Sequence, residues 1–176
     1  MKIKHHIKKL EHHSAKSWYP ILLGLLAFIY HFALIIPVDI LYVSSTLIAP
    51  RRWISMGLAT VIGFTAGATT FAYLVGIYGT SLVEKIIPGI LTSPMWAQSE
   101  VWMHRYGPFA VGGLSLVPLS LHPLVALAGM DHMPLLLIAL SIFTGRFIKY
   151  GILGWTCAYL PSRMRPKKEP PSHEQI

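Results

Sequence analysis

The sequence predicts an all-α, polytopic membrane protein built from two inverted-topology repeats, each a re-entrant helical hairpin followed by a long transmembrane helix. Three observations lead there. The 176 residues are 53% hydrophobic and only 12% charged, with a mean hydropathy of +0.54, against about 25% charged in a soluble domain. Apart from Asp39, Arg146 and Lys149, those few charges lie in the tails and in short stretches between long apolar runs, each long enough to cross a bilayer as a helix. The runs themselves are broken by prolines and glycines in a pattern that repeats.

The chain divides into a basic tail (1–17), one transmembrane domain (18–162) and a second basic tail (163–176). Within the first tail, Ile3, Ile7 and Leu10 alternate with lysines and with His5-His6 and His12-His13. That pattern is basic and amphipathic, and it reads as a helix lying on anionic lipid in preference to a metal site. Trp18 onward lacks a small-residue cleavage pattern, so a cleaved signal peptide is not expected.

Trp18 to Pro50 carries Asp39 as its only charge. As one helix its 33 residues would measure about 50 Å, too long for a core of about 30 Å and too short for two spans. One span plus a shorter re-entrant limb fits, with the break near Pro37-Val38-Asp39. Proline there removes a backbone bond, and an unpaired carboxylate is unfavourable in hydrocarbon. Trp53 to Gly79 then forms a complete span, in which Gly63 and Gly67 make a small-xxx-small pair that lets another backbone approach.

From Thr80 to Arg105 the chain turns polar, with Pro88, Pro94, Trp96 and Trp102, as in an interfacial segment. Tyr106 to Met130 is apolar again but interrupted by Pro108, Gly112-Gly113, Pro118 and Pro123. Irregular backbone at membrane depth survives only inside protein or beside a wet cavity, so a second re-entrant hairpin is expected. Pro134 to Leu160 is the last span. Pro37 to Gly79 and Pro118 to about Trp155 thus share one design in opposite orientation, a plan common among transporters.

Eleven cations (Lys2, Lys4, Lys8, Lys9, Lys16, Arg51, Arg52, Arg163, Arg165, Lys167 and Lys168) fall on one side of that layout. Lys85 and Arg105 fall on the other. The positive-inside rule therefore places both termini and the Arg51-Arg52 turn in the cytoplasm. It also accounts for the net charge of +8, so no nucleic-acid partner is expected. The single cysteine, Cys157, forms no internal disulfide and reads as a small packed residue. No nucleophile–base–acid set, nucleotide motif or metal spacing is present, so no enzyme activity, cofactor or metal is expected.

Arg146 and Lys149 are the chemically informative residues. Arg146 lies 12 residues after Pro134, about 18 Å along a helix, and Lys149 lies 14 residues before Arg163, about 21 Å. Each would cost about 2.5 to 3.5 kcal/mol in lipid, so both should face protein, water or an anion. Spaced i, i+3, they share a helix face, and Asp39 is the one acid within the apolar runs available to pair with them. Such a cluster either fixes helix packing as a buried ion pair or contacts an anionic headgroup or proton. His122, an imidazole in the second limb, is either a proton relay or a neutral hydrogen-bonded residue. His31 sits mid-span as a packed or lumen-facing residue.

The stretches EVWMHRYG, LSLVPLSLHPLVALAGM and GRFIKY, between Glu100 and Tyr150, resemble the DedA superfamily, whose shared region is also called the SNARE-associated or VTT domain. The resemblance covers about 120 residues and is strongest to the YqaA-type subgroup. It rests on Arg105-Tyr106-Gly107, Leu114-Ser115 with Pro118, Ala128-Gly129, Gly145-Arg146 with Lys149-Tyr150, and in the first half Pro37, Gly63, Gly67, Tyr73 and Gly76. It implies a bacterial inner-membrane protein with two opposed re-entrant hairpins that moves a lipid between leaflets, as a flippase or scramblase. The lipid would be a phospholipid or a polyprenyl-phosphate carrier, with proton coupling; apart from the resemblance, a second copy of the chain is a candidate partner. The chain departs from the family pattern at Ser115 and Leu121, where DedA proper carries arginines, and at Leu41 and His122, where YqaA-like proteins carry acids. Substrate-binding or coupling residues are therefore expected among Asp39, Ser115, Pro118, His122, Arg146 and Lys149, and hairpin or packing roles at Pro37, Gly63, Gly67, Gly129 and Gly145. A proton-coupled exporter of small solutes and a non-transporting membrane assembly factor are the alternative functions.

Overall fold

The computed structural model describes residues 18–33, 37–117 and 120–164, with side chains to residue 159. The first tail, the second tail beyond residue 164 and the histidines of both lie outside that range, as does Pro118. Among the described residues there are eight α-helices and no strand: α1 (Tyr19–Ile29), α2 (Val38–Ile48), α3 (Trp53–Tyr78), α4 (Thr80–Ile86), α5 (Pro94–Tyr106), α6 (Pro108–Leu114), α7 (His122–Met130) and α8 (Leu135–Met164). The all-helical expectation holds. Two segments, Pro50–Tyr78 and Leu135–Tyr159, are long and apolar enough to cross a membrane.

The first apolar run breaks earlier than its proline suggests. α1 ends at Ile29 and gives way to a turn through Tyr30 and Phe32, while α2 begins directly after Pro37. A proline fixes its own φ (−77° at Pro37) and disfavours the helical region for the residue before it, so Pro37 marks where α2 starts and not where α1 stops. Each helix has 11 residues, about 17 Å. The Pro50–Arg52 3-10 turn then feeds α3, a charge-free helix of 26 residues closed by Gly79 at φ 63°.

The polar middle of the chain is helical in short pieces. Gly79, Gly89 and Gly107 take positive φ at its corners. Ser93 caps α5 by accepting from the Trp96 amide (3.2 Å), with Pro94 in the first turn. α7 is buried through residues 122–129, enclosed by α3, α5 and α8, and its composition is accordingly apolar on all sides. It ends at Asp131-His132, where His132 adopts φ 51° and the Met133 amide reaches back to the Ala128 carbonyl (3.1 Å).

Glycines set the closest helix contacts. A Cβ on Gly63 would collide with the Gly24 carbonyl of α1, and one on Gly67 would come to 2.5 Å from the Phe28 carbonyl. The backbone that this small-xxx-small pair admits is therefore α1. Gly145 lies against Ser115 and Gly112, bringing α6 onto α8, and Gly129 lies against Ala72, bringing α7 onto α3.

Candidate functional site

α8 presents Arg146, Lys149 and Tyr150 at i, i+3 and i+4, on one face. α2 brings Asp39 to that face from its first turn, where a carboxylate also complements the helix dipole. Lys149 Nζ donates to Asp39 Oδ2 (2.6 Å) and Tyr150 Oη to Asp39 Oδ1 (2.7 Å). Arg146 Nη1 stands 3.8 Å from Oδ1, too far for a hydrogen bond. Its guanidinium stacks instead on Phe64 of α3, 3.7 Å from the ring centre, and its Nε has no partner.

Burial within the cluster is asymmetric. The side chains of Arg146 and Lys149 are 4% and 7% exposed, and that of Asp39 is 39% exposed. Two enclosed cations thus face one half-exposed anion, an excess of one positive charge. Isolated charge in a low-dielectric interior is strongly unfavourable, so this excess favours an anionic partner.

Asp39 stands between two concavities. On one side is a cavity of about 350 Å³ whose polar wall is Asp39, Tyr30, Ser120 and Arg146. On the other is a groove of about 660 Å³ lined by Ile40, Val43, Leu116 and Ile152, with Asp39 and Lys149 in its wall. Ile40, Leu116 and Ile152 are exposed, so the groove opens along the outer face of the helices.

A second cluster lies behind the polar cavity. His31 and His122 are buried with ring centres 5.2 Å apart, among Tyr30, Phe64 and Phe71. His122 Nδ1 is 3.1 Å from Ser120 Oγ. Among the described residues, no three His, Cys, Asp or Glu side chains converge to hold a metal.

The structure therefore brings Asp39, Arg146 and Lys149 together and sets His122 one hydrogen bond behind the cavity wall. It places Ser115 elsewhere: its hydroxyl donates to the Gly112 carbonyl (2.6 Å) and its side chain abuts Gly145, a helix contact and not a cavity wall. Tyr150, Tyr30, Phe64 and Ser120 belong to the site although the sequence does not single them out for it. Their types are those of ordinary interface or core residues, and only the fold shows what they face. Comparison of the chain with family models, curated proteins and solved structures returns no match.

Proposed function

We propose that this chain is a DedA-like inner-membrane protein that moves a phosphate-bearing lipid between leaflets, as a flippase or scramblase. The observation that carries this reading is the net-positive Arg146–Lys149–Asp39 cluster in the wall between a polar cavity and a laterally open apolar groove. An amphiphile needs that pairing: cations and hydroxyls for an anionic headgroup, and an adjoining apolar track for its chains.

The helix pattern supports the inverted-repeat architecture. α2, a tight turn and the long α3 are matched by α7, a tight turn and the long α8. The first turn is cationic, Arg51-Arg52, and the second is Asp131-His132, consistent with opposite sides of the bilayer and with cytoplasmic termini. In this reading α2 and α7 are inner limbs of re-entrant hairpins, too short at 11 and 9 residues to cross alone.

Among the alternatives, a proton-coupled exporter would be favoured by Asp39 and His122 lining one cavity. Asp39 lines it, but His122 stands behind Ser120, and the groove opens sideways. Reconstitution into liposomes with a fluorescent phospholipid and, separately, a polyprenyl phosphate tests the proposal. Movement of either lipid at a rate proportional to protein supports it, and movement of neither refutes it.

A further inference from the structure

Asp39 satisfies its neighbours only in part. Its two oxygens take Lys149 and Tyr150 at 2.6 and 2.7 Å, but Arg146 is left at 3.8 Å with an unpartnered Nε. A carboxylate offers two oxygens, and a phosphate group offers additional ones in a tetrahedral arrangement. Guanidinium, ammonium and hydroxyl donors accept either anion. The three donors are buried and share the long helix α8, whereas the acceptor is half-exposed and sits in the first turn of the short α2.

The remaining ties of α2 lie further along it. Tyr42 Oη reaches the carbonyls of Tyr150 (3.0 Å) and Trp53 (3.2 Å), and Ser45 Oγ is 2.7 Å from Tyr19 Oη. Rotation of the Asp39 side chain therefore breaks its two hydrogen bonds without unseating the helix. Asp39 already lines the polar cavity into which it would turn.

From these observations we propose that Asp39 is a tethered counter-anion that holds the phosphate's place on Lys149, Tyr150 and Arg146, and that substrate binds by ion exchange, displacing it. Building on the lipid-moving function proposed above, this assigns the recognised chemistry to a phosphate oxyanion and gives Asp39 a competitive role. Between visits the carboxylate neutralises one of the two buried cations. When a phosphate arrives, it takes over those donors and also reaches the guanidinium that Asp39 leaves unsatisfied. A carboxylate that only ties α2 to α8 would behave in the opposite way, because its removal would loosen the site.

The test is titration of the full-length protein in detergent with dihexanoyl phosphatidate, and in parallel with inorganic phosphate, by calorimetry. Asp39→Asn is expected to tighten phosphatidate binding about tenfold. Tyr150→Phe removes the same donor from Asp39 and from the phosphate that replaces it, so it is expected to leave the affinity within about twofold of wild type. Arg146→Gln is expected to weaken it at least tenfold. Should Asp39→Asn fail to fold, the carboxyl resonance of Asp39 in the wild type decides the matter. The two aspartates also permit a direct readout: with ¹³Cγ-labelled aspartate, and Asp131→Asn for assignment, phosphatidate should shift the Asp39 carboxyl resonance in the wild type. Unchanged or weaker binding in Asp39→Asn, or an Asp39 resonance that phosphatidate leaves unshifted, with Arg146→Gln still impaired, overturns the displacement while leaving the lipid function standing. Absence of phosphatidate binding in every variant overturns both. Inorganic phosphate bound as tightly as phosphatidate identifies free phosphate as the ligand and overturns the lipid as its source.

Discussion

Arg146 and Lys149 differ in how the protein holds them, and their variants should differ accordingly. Lys149 is a point charge on Asp39, whereas Arg146 is a planar group stacked on Phe64. Arg146→Gln and Lys149→Gln are each expected to lower lipid movement at least tenfold while the protein still elutes as a folded species. Arg146→Lys should not restore activity, because an ammonium lacks the stacking plane. Tyr42→Phe removes a buried hydroxyl from the Tyr150 carbonyl and should destabilise the fold by about 1 kcal/mol, read as a fall in melting temperature in detergent. At this scale the site was partly visible from sequence. Three charges isolated in apolar runs have few places to go, and they meet. The His31–His122 contact was not visible, since no periodicity relates side chains 91 positions apart. Nor was the role of Tyr150, whose hydroxyl acquires meaning only through Asp39 of another helix.

Helix contacts make their own predictions. Gly145→Ala would push a methyl into Ser115 and the Gly112 carbonyl, and is expected to cost about 1 to 3 kcal/mol. Gly113→Ala meets nothing within 4 Å and should be tolerated, so thermal melts of the two variants separate close packing from any general intolerance of alanine. Gly63→Leu should prevent α1 from seating on α3 and collapse the yield of folded protein, with Ala66→Leu, on an exposed position of the same helix, as its control. The glycine pair was readable in advance because its spacing on a helix is a geometric statement. The end of α1 was not, because proline reports where a helix begins and is silent about where the previous one stops. Ser115 shows the same limit from another side: a hydroxyl beside a proline-broken limb suggests a site, yet its bond goes to a local carbonyl.

For the molecule as a whole, two helices are long and apolar enough to cross a membrane, and among the described residues Arg146 and Lys149 are the charges that lie buried. With α8 as a span, spin labels placed along its exposed face should report greatest depth near Ile148 and progressively less toward Leu136 and Tyr159. Reporter fusions at the two termini should both register the cytoplasmic side. The all-helical character and the two long apolar helices were open to sequence reading because charge and apolar length are properties of whole segments. The cavities were not, since they arise where several helices fail to touch.

On the proposed function a lipid phosphate crosses by way of the Arg146–Lys149 donors, and the initial rate of fluorescent phospholipid exchange between leaflets of proteoliposomes reads this out, compared for wild type, Arg146→Gln and Lys149→Gln at equal reconstituted protein. A rate in wild type that falls at least tenfold in both variants is the expected result. Equal rates in all three would exclude these two cations from the path.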